Sequence, residues 1–187
     1  MTTRWFVTRR DFLKYSGVML AGCALSPEFG QTDGTDRKLK LRFGIVTDVH
    51  YADTDVSGTR YYRESLAKMS DCVELMNREK VDFLIELGDF KDENSTKNED
   101  STLRYLKSIE SVFQQFHGKC YHVLGNHDID SISKKQFQDA VGNDGIAKQS
   151  TYYSFDSSGV HFIVLDANYK SDGSDYDHGN FDWKDTN

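Results

Sequence analysis

The stretch His122–Asp128, which reads H-V-L-G-N-H-D, decides the fold. In it a short apolar run stops at a glycine, and three polar residues follow whose side chains can bind metals or transfer protons. Two earlier stretches end in the same way: I-V-T-D-V-H at Ile45–His50 and L-I-E-L-G-D at Leu84–Asp89. Such runs predict three parallel strands, and the carboxyl ends of parallel strands meet at one edge of a sheet. The sequence therefore predicts a site at that edge.

The segments between these runs have the periodicity of helices. Apolar residues recur every three or four positions in residues 61–80 and again in 101–117, so both segments are predicted to be amphipathic helices. We further predict strands at 41–47, 81–87 and 119–124, a short helix at 134–141, and a hairpin of 151–156 with 160–166. This alternation indicates an α/β fold with parallel β-α-β units and right-handed crossovers.

The composition is that of a globular protein. Of 187 residues, 37% are apolar and 28% are charged, and the net charge is -7. Because the basic residues do not cluster, we expect no nucleic-acid-binding surface. The three cysteines, Cys23, Cys72 and Cys120, form neither a zinc-type pair nor a disulfide framework.

The N-terminal segment predicts export. Residues Thr8–Lys14 read T-R-R-D-F-L-K before a weakly apolar run, a pattern that resembles a twin-arginine signal. An ordinary amphipathic helix is the alternative to this signal. L-A-G-C at 20–23 resembles a lipobox, in which Cys23 would be lipidated, and the alternative is a small-residue cleavage site that ends near Ala24. We therefore expect a signal and lipobox segment at 1–25, a flexible tether at 26–40 and one domain at 41–187. The protein would be periplasmic or a membrane-anchored lipoprotein, with no other membrane contact.

The predicted strand ends carry D-x-H at 48–50, G-D-x-x-D at 88–92 and G-N-H-D at 125–128. This order and spacing resemble the calcineurin-like metallophosphoesterase family, whose signature places these three blocks at strand ends. The resemblance covers roughly residues 41–166. It implies a layered metallophosphoesterase-like sheet, of which this chain holds the N-terminal part. It also implies hydrolysis of phosphate mono- or diesters by in-line attack of metal-bound hydroxide.

The residue types themselves suit two divalent cations. Asp48 and His50 are two apart and could chelate one cation together. Asp89 follows a glycine and could bridge to the second cation, as a two-metal phosphoryl site requires. Asn126 offers the second cation a neutral carbonyl oxygen. Mixed oxygen and nitrogen ligands favour Mn, Fe or Zn over a soft thiolate site.

The resemblance also assigns roles to residues beside these ligands. His127 would not bind metal; it would contact the phosphate and protonate the leaving oxygen. Asp128 would orient the His127 ring and raise its basicity. Asp92 would contact the metal ligands without binding a cation itself.

A further likeness concerns the substrate. Y-A-D at 51–53 and T-R-Y-Y-R-E-S-L at 59–66 look like the manganese-dependent ADP-ribose and CDP-alcohol diphosphatases, so Arg60 or Arg63 could hold a second phosphate.

The family's later histidine and its G-H-x-H block do not occur here. We therefore expect an incomplete C-terminal part, weak metal occupancy, and further ligands on a longer or separate chain. The alternative is a non-catalytic, exported remnant with a partial metal or phosphate site. An oxidoreductase of the doubly wound type is disfavoured, since no G-x-G-x-x-G follows a strand.

Overall fold

A parallel sheet of three strands lies at the centre of the computed structural model, which describes residues 41–148 and 150–180. The strands are β1 (Phe43–Val46), β2 (Phe83–Glu86) and β3 (Lys119–His122), in the order β1-β2-β3. Phe83 lies opposite Phe43 on one side and Lys119 on the other, so both pairings are parallel and the predicted β-α-β units are confirmed. The N-terminal predictions, including Cys23, lie outside the described residues.

Three helices pack on one face of the sheet: α1 (Glu64–Glu79), α2 (Glu99–Phe113) and α3 (Lys134–Ala140). Helix α1 begins three residues after the predicted start at 61. Helix α2 begins before the predicted Ser101, because the Asn98 side chain accepts the Ser101 N–H and caps the helix there. Within the described part of the chain, no helix has the length and apolarity that crossing a membrane requires.

The alternation of side chains along β2 separates two apolar cores. Leu84 packs with Met69 and Leu106 on the helical side of the sheet. Phe83 and Ile85 pack on the opposite side, in a second cluster. All four residues of β2 are buried, as expected for a parallel strand that is covered on both faces.

The second face is covered by an antiparallel hairpin of β4 (Tyr153–Ser157) and β5 (Val160–Val164), which confirms the predicted hairpin. The Phe155 ring of this hairpin stacks on Tyr121 of β3, with ring centroids 3.8 Å apart. The cover is partial, since Ile45 remains 54% exposed and Ile163 remains 68% exposed. The described residues thus form three layers, and the loops that follow the three strands lie at one edge of the sheet.

Candidate active site

The loops that follow β1, β2 and β3 meet at the carboxyl edge of the sheet. Backbone hydrogen bonds join the first two loops: the Asp48 N–H donates to Gly88 O at 3.1 Å, and the His50 N–H donates to Asp89 O at 2.8 Å. The third loop approaches through Gly125, where a Cβ atom would overlap the Asp89 backbone nitrogen. The glycine of G-N-H-D is therefore required for contact between the second and third loops.

Three of the predicted metal ligands have left-handed backbone conformations. The φ angles are +55° at Asp48, +46° at His50 and +58° at Asp89. This conformation costs a non-glycine residue roughly 1–2 kcal/mol. Such residues persist where the surrounding structure imposes the conformation, and they cluster at functional sites. The backbone strain of this edge is concentrated on the residues whose side chains form the site.

His50 stands between the two aspartates. Its Nε2 atom lies 3.6 Å from Asp48 Oδ1 and 3.7 Å from Asp89 Oδ2. These separations are too long for hydrogen bonds. Two ligands of one tetrahedral cation, with bonds of about 2.1 Å, would lie about 3.4 Å apart. The mixed oxygen and nitrogen donor set therefore fits a divalent cation.

The third loop carries two further residues of the predicted site. Asn126 precedes a single 3₁₀ turn, His127–Ile129, and its side chain makes no capping hydrogen bond to that turn. The Oδ1 atom of Asp89 accepts the His127 N–H at 3.0 Å, while its Oδ2 faces His50. His50, Asp89 and His127 can each place one ligand atom within 4.8 Å of the others. His127 thus lies within reach of the cation site, although the resemblance gives it no ligand role.

The His127 imidazole is held by two carboxylates. Its Nδ1 atom lies 3.4 Å from Asp92 Oδ1 and 3.7 Å from Asp130 Oδ2. Asp130 and Asp92 raise the pKa of His127 to about 10 against the lowering effect of burial. The ring is therefore protonated at neutral pH in the metal-free protein, and bound cations would oppose this shift. A protonated imidazole at this position can act as a general acid.

Asp92 connects both histidines. Its Oδ2 atom lies 3.2 Å from His50 Nδ1 and 3.1 Å from a guanidinium nitrogen of Arg60, while its Oδ1 faces His127. Burial alone would raise the pKa of Asp92, but His127 and His50 hold it well below its usual range. Asp92 is thus an anion close to both rings, and its predicted role is to support the metal ligands.

Asp128 has a different place from the one predicted for it. Consecutive residues of a 3₁₀ turn point about 120° apart, so its side chain turns away from the His127 ring. The carboxylate is fully buried and accepts four backbone N–H groups, at 2.8–3.3 Å. The donors are Gly125, Asp89, Phe90 and Lys91. Asp128 therefore clamps the second loop to the third, and Asp92 with Asp130 takes the orienting role.

Asp130 and Lys91 also contribute to the site, and neither was predicted from the sequence. The Lys91 side chain is fully buried, and its ammonium group pairs with Asp130 Oδ1. Asp130 is thus a second carboxylate beside His127, and it adds no net charge because Lys91 neutralises it. The spacing in H-D-I-D at 127–130 was an available signal for Asp130, since residues three apart share one face of a 3₁₀ turn. Lys91 offered no signal, because a lysine in a loop is usually a surface residue.

A cleft of 340 Å³ opens beside the predicted metal ligands. Arg60 and Lys68 lie among its lining residues and supply positive charge. Arg63 instead binds two carboxylates of the preceding loop, Asp53 at 2.6 Å and Asp55 at 2.7 Å. Of the two arginines predicted to hold a second phosphate, the structure brings only Arg60 to the cleft.

The fold and the site together define an α/β protein in which carboxylates and two imidazoles meet at the carboxyl edge of a parallel sheet, in an arrangement that can hold a divalent cation. The family comparison agrees with this class. The chain belongs to the Calcineurin-like phosphoesterase family, whose model matches residues 41–186.

Two curated proteins that the chain resembles have the same name. The chain is 30% identical over 138 residues to the manganese-dependent ADP-ribose/CDP-alcohol diphosphatase of Arabidopsis thaliana, covering 69% of this chain and 42% of that protein. It is 36% identical over 104 residues to the Xenopus tropicalis protein of the same name, covering 50% and 29%. A crystal structure of a dimetal phosphatase from Danio rerio matches with a TM-score of 0.59 and 28% identity, covering 71% and 46%. The chain spans less than half the length of these proteins.

Proposed function

We propose that this protein is a metal-dependent phosphohydrolase that cleaves phosphate mono- or diesters at the carboxyl edge of its sheet. The observation that carries the proposal is the ligand-like spacing of His50 from Asp48, at 3.6 Å, and from Asp89, at 3.7 Å, with a ligand atom of His127 within 4.8 Å of His50 and Asp89. Membership of the Calcineurin-like phosphoesterase family supports it. The names of the relatives support two divalent cations and make Mn²⁺ the first ion to test.

Each ligand has a place in this proposal. Asp48 and His50 would hold one cation, Asn126 would hold the other, and Asp89 would bridge them. The cations, when bound, would polarise the phosphoryl oxygens and lower the pKa of the attacking water. Because His50 and Asn126 are neutral ligands and only Asp48 and Asp89 are carboxylates, the negative charge that accumulates at the site is limited.

His127 would supply the proton to the leaving oxygen after in-line attack. Its Nδ1 faces Asp92 and Asp130, so the proton for transfer is the one on Nε2. Asp92 keeps the ring in this orientation through its Oδ1 atom. A general acid positioned in this way contributes about 10²–10⁴ in rate.

The proposed substrate class is a nucleoside-diphosphate-type ester. Arg60 lines the cleft beside the ligands, and a guanidinium group can bind a second phosphate through two parallel hydrogen bonds. The names of the curated relatives, which are ADP-ribose/CDP-alcohol diphosphatases, support this choice.

Turnover by the Mn²⁺-loaded protein tests the proposal. The substrates are p-nitrophenyl phosphate, bis(p-nitrophenyl) phosphate and ADP-ribose. We expect Asp89→Asn to abolish turnover, because the amide removes the charge that would bridge the cations. Asp172→Asn makes the same change at an exposed position and should leave turnover intact. Unchanged turnover in Asp89→Asn contradicts the proposal.

We also propose that further ligands come from outside residues 41–180, on the same chain or on a partner chain. Asp89 and Asn126 give the second cation only two protein ligands, fewer than a closed site uses. The intact mass of the native protein, with any chain that copurifies, tests this. Tight binding of two Mn²⁺ ions by the 187-residue chain alone would contradict it, and the absence of any binding would favour the non-catalytic alternative.

Export by the twin-arginine route, with lipidation of Cys23, is likewise a proposal. It rests on T-R-R-D-F-L-K at Thr8–Lys14 and on L-A-G-C at 20–23. Replacing Arg9 and Arg10 together by lysine should retain the protein in the cytoplasm. Cys23→Ala should remove the mass of a lipid from the exported form. Export of the double lysine variant at the normal rate would contradict the route.

A further inference from the structure

Three ionisable side chains lie buried below the site, and the proposed reaction uses none of them. Glu86 ends β2, His122 ends β3 and Glu110 lies in α2, with 0%, 3% and 7% of their surface exposed. His122 Nδ1 lies 3.3 Å from Glu86 Oε1, and His122 Nε2 lies 3.0 Å from Glu110 Oε2. The imidazole therefore stands between two carboxylates, with Phe90 and Phe113 against its ring.

Glu86 also contacts the loop that carries Asp89. Its Oε2 atom accepts the Gly88 N–H at 2.8 Å. The Gly88 carbonyl in turn accepts the Asp48 N–H at 3.1 Å. Gly88 has a φ of +101°, so the chain makes its sharp turn at the residue that Glu86 holds. One glycine, bound at its N–H and at its carbonyl, thus links Glu86 to the loops of two proposed ligands.

A carboxylate at this position is costly, since an apolar side chain would fill the core of a parallel strand at a lower cost. The His122 ring offsets part of this cost: burial raises the pKa of Glu86, and the hydrogen bond with His122 acts against that rise. Burial alone would lower the pKa of His122, but Glu110 and Glu86 raise it to about 10. The ring is therefore charged at neutral pH; its Nδ1 atom is hydrogen-bonded to Glu86, and its Nε2 atom lies close to Glu110. Glu110 is held from the other side by the Gly142 N–H, at 2.9 Å.

We propose that Glu86 is a positioning residue of the metal centre. It fixes the turn at Gly88 and so sets the positions of Asp89 and Asp48, while the His122 ring compensates its buried charge. The inference rests on the proposed function, because the two aspartates are the proposed metal ligands. The role depends on the carboxylate oxygen at the Gly88 N–H and not on the volume that the side chain fills.

Mn²⁺ titrations of the full chain test the inference. Calorimetry measures the affinity, and the EPR spectrum of the bound ion reports the geometry of its ligands. Glu86→Gln weakens the acceptor at Gly88, and we expect Mn²⁺ affinity to fall about tenfold, as for other residues that orient ligands. The EPR spectrum should change as well, because the ligand geometry changes. Glu110→Gln is the matched control: the same change in the same buried group, without contact to Gly88. We expect its melting temperature to fall and its Mn²⁺ affinity to remain that of the wild type.

Glu86→Asp is a second variant that keeps the charge but withdraws the oxygen from Gly88, and it should lose Mn²⁺ affinity too. It also serves if Glu86→Gln does not fold. Wild-type affinity in the Glu86 variants overturns the inference and leaves the proposed function standing. An equal loss in Glu110→Gln also overturns it, because the effect would then follow stability. Absence of Mn²⁺ binding by the wild type overturns the inference and the proposed function together.

Discussion

The substitution Asp128→Asn distinguishes two roles for Asp128: holding the second and third loops together, and orienting the His127 ring. Each Asp128 oxygen accepts two backbone N–H groups: Oδ2 accepts those of Gly125 and Asp89, and Oδ1 accepts those of the next two residues. The amide keeps the size of the carboxylate but replaces one oxygen by a donor. Two of the four N–H groups then lose their acceptor and face an NH₂ group.

The magnitude follows from the number of orphaned donors. A buried donor without a partner costs about 1–3 kcal/mol. Two such donors predict a loss of about 2–6 kcal/mol, a large part of the 5–15 kcal/mol that a domain of this size has. The His127 ring keeps Asp92 and Asp130 as partners, so its pKa should stay raised in this variant.

Two measurements on metal-free protein decide between the roles. Urea unfolding followed by circular dichroism measures the stability, and NMR titration of the His127 ring proton measures its pKa. We expect Asp128→Asn to lose stability with the His127 pKa retained, and Asp92→Asn to lower the His127 pKa because it removes a carboxylate from Nδ1. An equal fall of the His127 pKa in both variants, with Asp128→Asn close to wild-type stability, would refute the clamp.

Three further predictions concern the loops, the buried histidine and the cleft. Gly125→Ala should weaken Mn²⁺ binding and lower the melting temperature, since its Cβ would overlap the Asp89 backbone nitrogen. A Mn²⁺ affinity and a melting temperature equal to those of the wild type would show that the second and third loops can separate at little cost. The His122 pKa of about 10 exceeds its ordinary 6.5, so the folded state binds the extra proton. The free energy of unfolding should therefore fall between pH 6.5 and pH 10, by up to about 1.4 kcal/mol per pH unit for each of His122 and His127, whose pKa is also raised to about 10; His122→Gln should remove the His122 share. Urea unfolding of metal-free protein across this range checks it, and a flat profile would contradict it. Arg60→Gln should raise the KM for ADP-ribose more than for p-nitrophenyl phosphate, whereas Arg63→Gln should change neither; equal effects of both variants would remove Arg60 from the phosphate site.

The sequence by itself determined the sheet and the edge at which the site lies. Short apolar runs alternate with segments of helical periodicity, and a chain of this kind has few possible arrangements other than parallel β-α-β units. Once the strands are parallel, the residues that follow them must share one edge. Asp48, His50, Asp89 and Asn126 could therefore be placed together without coordinates.

Only the tertiary structure decided how the side chains are divided between chemistry and support. Asp128 and Asp130 lie on one short turn, and the direction of each follows from contacts with a loop about forty residues earlier in the chain. The same holds for Glu86, whose partner His122 comes from a different strand and itself contacts Glu110 of a helix. A sequence pattern records residue type and local period. Which carboxylate meets a backbone N–H, an imidazole or an ammonium group depends on distances that arise only after the layers pack.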